Sequence, residues 1–149
     1  MFEFKELNFL TDGEIDLKIE AKIPSDEKKG YAPAYRYRIT LHDSDDGIGV
    51  ISIRIGCSES LYYVGNIGYF IDEVYRGNNY ALKACKIIKG VAIAHGMNKI
   101  IITCNPDNIP SRKTCEKAGL KFKGIVNLPT HNEMYQRGER QKCIYEWSL

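Results

Sequence analysis

Apolar positions recur at every second residue through the first half of the chain and at helical spacing in part of the second, and this change of period predicts the architecture. From Glu14 to Ile23, the residues Ile15, Leu17, Ile19, Ala21 and Ile23 alternate with Asp16, Lys18, Glu20 and Lys22, as in a strand with one wet face. In AYRYRITL, Tyr35, Tyr37, Ile39 and Leu41 alternate with Arg36, Arg38 and Thr40, and DSDDG supplies a turn into the strand GVISIRI. The stretch PSDEKKGYAP between the first two strands reads as a surface loop or one short helical turn, the most mobile part expected of the chain.

A further strand is expected around Ile67 to Ile71. The period then lengthens: Tyr80, Ala81, Ala84, Cys85, Ile87, Ile88, Val91 and Ala92 form one helical stripe, with Gly96 placed to end it. The continuous apolar run NKIIITC predicts a strand buried on both faces, reached by a right-handed parallel crossover. A shorter helix is predicted to start near Asn105 to Asn108, with Pro106 or Pro110 in its first turn, and to stop at Gly119. Strands near Lys121 to Leu128 and Gln141 to Trp147 close the chain. The order describes an α+β fold with a mixed, mostly antiparallel sheet, and no repeat or linker divides residues 1–149 into more than one domain.

Composition narrows the function more than the fold. Of 149 residues 44% are hydrophobic and 27% charged, and 21 Lys plus Arg against 19 Asp plus Glu leave a net charge of +2. That charge is too small for a general grip on nucleic acid or on an anionic membrane, so a charged ligand has to be met locally. The interleaved KKGYAPAYRYR is read as an amphipathic strand rather than as a base-stacking surface. The start MFEFKELNFL lacks the features of a signal peptide and no run is long enough to span a bilayer, so a cytoplasmic location without membrane attachment is expected. Five cysteines without a CxxC pair are read as free thiols, and the scattered His42, His95 and His131 imply no metal site. Tyr-rich strands, if exposed, are candidates for pairing in a homodimer.

GYFIDEVYRGNNYALKACKII carries the chemistry. A strand passes through a polar turn into the long helix, whose unpaired N–H groups and positive dipole end can wrap an anion such as phosphate. Arg76 can add a charge-assisted hydrogen bond and Gly77 permits close backbone approach. On local spacing alone the alternative is that Asn78 or Asn79 caps the helix and Arg76 is a solvated charge.

The turn resembles the acyl-CoA-binding motif of the GNAT superfamily of N-acetyltransferases, Gln/Arg-x-x-Gly-x-Gly/Ala, on Arg76, Gly77, Asn78, Asn79, Tyr80 and Ala81. Asn79 replaces the central glycine, and Asn is the residue after Gly best able to hold a positive φ. NPDNIPSRKTCEKAGLKFKG is similar to the second cofactor-contacting region of that family, with Asn108, Ser111, Gly119 and Leu120 in the matching places.

The resemblance implies an enzyme with acetyl-CoA as cosubstrate and a small-molecule or peptide amine as acceptor, the amine attacking the thioester directly. It implies that Gly68 to Asp72 pairs through its backbone with the pantetheine arm between two splayed parallel strands, the N–H of Phe70 or Ile71 polarising the thioester carbonyl. Cys115 falls where many members carry an acidic tyrosine, either as a proton donor or packed beneath the cofactor, and Tyr135 and Tyr145 are further candidates. The base is open. Tyr69 stands where some members have Glu, and Asp72 and Glu73 are read as solvated. His131, Glu133 and Tyr135 concentrate in a segment expected to overhang the acceptor. A lysine acceptor with a pKa near 10.4 would need a deprotonation worth roughly 4 kcal/mol at pH 7.4, against under about 1 kcal/mol for an α-amino group, which favours the α-amino class. A non-catalytic acyl-CoA-binding or regulatory module is the alternative.

Overall fold

Alternating apolar positions become strands wherever one face can be buried. The computed structural model describes residues 1–149. In chain order it contains β1 (Phe9–Thr11), β2 (Ile15–Ile23), β3 (Ala34–Leu41), β4 (Gly47–Arg54), α1 (Glu59–Val64), β5 (Ile67–Ile71), α2 (Tyr80–Ala94), β6 (Lys99–Cys104), α3 (Ile109–Lys117), β7 (Lys121–Asn127), α4 (Glu133–Gln136) and β8 (Gln141–Ser148). The alternation predicted β2, β3 and β4, and the longer period predicted α2. It missed β1, α1 and α4, which are too short to show a period.

The strands form two antiparallel sheets, β1-β2-β3-β4-β5 and β6-β8-β7. The expected crossover from β5 through α2 to β6 exists, but no ladder joins the two strands. They are edge strands of separate sheets. Both run the same way, since α2 leaves the C-terminal end of β5, α3 leaves that of β6, and both helix starts line one cleft. Buried Ala84, Cys85, Ile88, Val91 and Ala92 of α2 pack with Leu17, Ile51 and Ile53 in a single core. Each such buried aliphatic side chain contributes roughly 1.5–3 kcal/mol.

Tyr35 and Tyr37 are fully buried, and Arg36 pairs with Glu20 at 2.8 Å. Neither ring is therefore available to stack on bases or to pair with a second copy, which removes the basis for the homodimer expectation. The PSDEKKGYAP segment is held by an Asp26–Tyr31 bridge and carries no helix. No helix of the protein is long and apolar enough to cross a membrane. The five cysteines are free, and only Cys57 is exposed.

Two histidines brace the sheet with opposite proton preferences. His42 lies beside two carboxylates that the sequence did not bring together, Nδ1 2.8 Å from Asp16 and Nε2 3.2 Å from Asp43. The bond to Asp16 raises its pKa. The Tyr35 hydroxyl accepts from the Lys5 amide at 2.7 Å, so its own hydrogen serves the Nε2 of His95, also at 2.7 Å. Burial, then the charge of Lys5, lowers the His95 pKa. His42 thus contributes stability below its unfolded value that is lost as pH rises through its folded one. The His95 contribution is lost as pH falls below its unfolded value. An NMR titration is expected to find His42 above and His95 below about 6.5.

Candidate active site

After β5 the chain makes a single 3-10 turn, Glu73–Tyr75, and enters α2 through Arg76, Gly77, Asn78 and Asn79. Gly77 has φ +87° and Asn79 φ +61°, the left-handed geometry that asparagine tolerates best after glycine. Asn79 stands at the N-cap yet bonds none of the helix amides. Its Oδ1 accepts instead from Lys117 Nζ at 3.2 Å, and Asn78 Nδ2 donates to the Tyr75 carbonyl at 3.0 Å. Neither asparagine caps α2, so its first amides face the cleft without a capping side chain. Arg76 is not a freely solvated charge either. Its Nε donates to the Ile71 carbonyl at 2.8 Å and its guanidinium lies 5.0 Å from the Phe70 ring centre.

The cleft at this turn has a volume of about 640 Å³ and runs from β5 across the start of α2 to α3. It gathers Phe70, Ile71, Arg76, Gly77, Asn79, Tyr80, Ala81, Asn108 and Ser111, all expected from the sequence, together with Lys113 and Lys117, which were not. The two lysines lie four residues apart on α3, which is enough to set them on one helix face. Three cations and no carboxylate line the cleft. Asn108 caps α3 by accepting from the Ser111 amide, with Pro110 in the first turn.

Three expected cofactor residues fall outside this lining. Asp72 borders a shallow depression on the opposite face of the sheet, Asn78 braces the turn, and Cys115 is fully buried in the core. Burial pushes the Cys115 thiol up, as it does those of Cys85, to about 12, and Cys104, to about 11. His131, Glu133 and Tyr135 are also outside. His131 lies 3.9 Å from Glu59, Glu133 accepts from the Tyr31 hydroxyl at 3.3 Å, and the Tyr135 ring lies 4.0 Å beneath the Arg140 guanidinium. Tyr145 is buried, its hydroxyl accepting from Arg112.

Among the tyrosines lining the cleft, which include Tyr75 and Tyr80, Tyr69 lies on β5 itself and donates to Ser111 Oγ at 3.1 Å. Burial raises its pKa to about 12, against the opposing bond with Ser111, so it stays protonated at neutral pH.

Hydrogen-bond alternation along β5 identifies the free amides. Asp72 donates to the Ile48 carbonyl and Arg54 to that of Asn66, which commits the amides of Gly68 and Phe70 to β4. Those of Tyr69 and Ile71 turn to the open edge. Of the two amides named from the resemblance, Ile71 faces the opening and Phe70 does not. Gly49, opposite Ile71, is required for this pairing, since a β-carbon there would collide with the Phe70 carbonyl.

The opening starts at Asn66. Its backbone N–H donates to the Ile101 carbonyl at 2.7 Å and its Oδ1 accepts from the Ile101 amide at 2.8 Å, while Nδ2 donates to the Arg54 and Gly56 carbonyls. One buried side chain joins both sheets at the apex where β5 and β6 part.

The family model for the Acetyltransferase (GNAT) domain matches residues 7–121. The chain belongs to the GNAT acetyltransferase family. This GNAT chain is 26% identical over 161 residues to a Bacillus subtilis protein described as uncharacterized N-acetyltransferase YnaD, covering 99% of the chain and 93% of that protein. Among solved structures it resembles the microcin C7 self-immunity acetyltransferase MccE in complex with acetyl-CoA and AMP (TM-score 0.62, 20% identity, 78% of this chain and 61% of that one). It also resembles the ribosomal L7/L12 α-N-protein acetyltransferase RimL in complex with coenzyme A (TM-score 0.61, 19% identity, 83% and 65%). The GNAT chain therefore spans less than two thirds of either of those proteins, whereas it covers 94% of RimL in an apo crystal form (TM-score 0.66, 14% identity, 95% of this chain). At these identities the likeness establishes the fold.

Proposed function

We propose that this GNAT chain takes acetyl-CoA and transfers the acetyl group to a primary amine by direct attack. The observation that carries the reading is the cleft at the start of α2, with three cations, no carboxylate and uncapped helix amides, which fits a diphosphate. Bound there, acetyl-CoA would supply an activated acyl group. The residues of the cleft supply the rest. Arg76, Lys113, Lys117 and the first amides of α2 hold the negative charge. The outward amides of Tyr69 and Ile71 pair with the pantetheine arm and donate to the carbonyl oxygen as it gains negative charge. The amine nitrogen forms the new bond to the acyl carbon, the carbon–sulfur bond breaks, and the electron pair leaves with sulfur. The Tyr69 hydroxyl, protonated throughout the working range, would turn its single hydrogen from Ser111 to the departing thiolate, and the proton lost from nitrogen passes to solvent or thiolate. Tyr69 takes this role because Cys115, Tyr135 and Tyr145 all point elsewhere.

Calorimetry with coenzyme A tests the cleft, and thiol release from acetyl-CoA over a panel of amines tests the transfer. Saturable binding with thiol release is expected. Tyr69→Phe is expected to lower kcat by about 100-fold, the lower end of the range for a positioned proton donor, with little change in coenzyme A affinity. Tight binding with no thiol release from any amine would instead assign the chain as an acyl-CoA-binding module, and no binding would remove the reading altogether.

A further inference from the structure

The outer face of the five-stranded sheet, opposite α2, carries a cation that the fold does not neutralise. Arg54 ends β4, and because Ile51 and Ile53 point into the core its side chain shares the outer face with Val50 and Ser52. The guanidinium lies over Gly68 of β5, with Nη1 and Nη2 only 3.7 and 3.6 Å from where a β-carbon on that glycine would stand. Its one protein acceptor is the Gly65 carbonyl, 3.1 Å from Nη1. No carboxylate pairs with it or with Arg38, which donates to the Asp45 carbonyl, whereas Arg36 on the same face is matched by Glu20, and of these three only Arg54 lies over Gly68. A half-buried guanidinium held by one neutral carbonyl leaves most of its donor fork unused, and that fork fits a carboxylate.

Its position relative to the opening gives the vacant fork a use. Gly68 is the residue before Tyr69, whose amide faces the gap between β5 and β6, and having no side chain it leaves the approach from the outer face clear. One residue along a strand is roughly 3.3 Å, the scale of the distance between an amine and a carboxylate borne on one carbon.

Resting on the transferase reading above, we propose that Arg54 is a specificity-determining residue that receives the carboxylate of the acceptor, and that the acceptor class is a free α-amino acid rather than a peptide N-terminus. The guanidinium anchors the carboxylate over Gly68, and the amine on the same carbon is directed to the thioester at the free edge of β5.

The test uses matched acceptors, an amino acid and its own amide, with a peptide carrying the same N-terminal residue as a third arm. Thiol release is followed for the whole chain after coenzyme A binding has been measured by calorimetry. The amide holds the less basic amine, so chemistry without Arg54 favours it. The free acid is expected to exceed the amide by roughly tenfold or more in kcat/KM, chiefly through KM. Arg54→Gln should bring that ratio to about one and Arg54→Lys should leave it intermediate, as a point charge without the fork. Because the ratio is taken within one preparation, partial unfolding of a variant does not alter it. A wild-type preference for the amide or the peptide overturns the proposal. So does a variant that lowers acid and amide together, which would limit Arg54 to bracing Gly65. Coenzyme A binding without thiol release from any amine overturns the transferase reading and this one with it.

Discussion

Asn79→Asp is expected to raise thermal stability and to weaken coenzyme A binding about a hundredfold. The two side chains have nearly the same shape, and both tolerate the left-handed conformation that residue 79 adopts, so the turn should keep its path. In the free protein a carboxylate at the N-cap meets the positive end of the α2 dipole and turns the contact with Lys117 into an ion pair, which stabilises by roughly 0.3–1 kcal/mol. In the complex it would face a diphosphate. At about 5 Å and an effective dielectric constant near 20, a single unit of like charge costs about 3 kcal/mol, which already amounts to a factor of about 100 in affinity. Stability and affinity should therefore move in opposite directions, and salt should narrow the affinity gap by screening the repulsion. Thermal denaturation and calorimetric titration at low and high salt check both. Loss of stability together with affinity would mean that the turn had been damaged. Unchanged affinity would mean that the diphosphate binds elsewhere.

That a single residue can be chosen for this test reflects how legible the cofactor turn was in the sequence. A strand running into a helix through Arg-Gly-Asn-Asn is a local pattern, and local patterns determine local geometry. The positive φ at Asn79 and the cap at Asn108 therefore follow from residues close to them in the chain. The residues that proved hardest to place take their roles from contacts distant in sequence. Tyr69 reads as an ordinary strand aromatic, and only the packing of α3 across β5 brings Ser111, 42 residues away, to its hydroxyl. Arg54 reads as one more outward cation on an alternating strand. What distinguishes it is its place over Gly68, since Arg38 on the same face likewise has no carboxylate partner, and that placement depends on the pairing of β4 with β5. His131, Glu133 and Tyr135 were singled out because polar residues cluster there, but clustering along the chain does not fix which way a surface loop faces. The tyrosines of AYRYRITL show the same limit in reverse. Alternation set Tyr35 and Tyr37 on the apolar face with Ile39 and Leu41, against Arg36 and Arg38, yet it did not say how completely the rings would be covered, and their full burial removed the surface on which a dimer had been expected.

The second large effect is expected at Asn66, whose sequence neighbourhood, Gly65-Asn66, suggests only a turn. A parallel strand reached by a helical crossover ordinarily hydrogen-bonds along its whole length, so the separation of β5 from β6 needs a physical cause. Asn66 supplies it. Its Nδ2 replaces the backbone donor that the Arg54 carbonyl would otherwise receive. The freed Asn66 amide turns to Ile101, and Oδ1 accepts the Ile101 amide in return. Gly65, at φ +84°, lets the chain approach β6 closely enough, since a β-carbon there would lie 3.1 Å from the Thr103 amide. Asn66→Ala removes three side-chain hydrogen bonds at a buried position and leaves two carbonyls and one amide without those partners. The expected loss is about 2–4 kcal/mol, with a melting temperature lower by roughly 5–12 °C. Asn66→Asp keeps the acceptor for Ile101 but removes both donors and buries a charge, so it should destabilise at least as much at neutral pH and recover in part as acid protonates the carboxyl. If Asn66 fixes the apex of the opening, coenzyme A affinity measured below the melting transition should fall as well. A variant that stays within about 0.5 kcal/mol of the wild type, or loses stability with full affinity, would show that the separation of the strands is imposed by the packing of α2 and α3 instead.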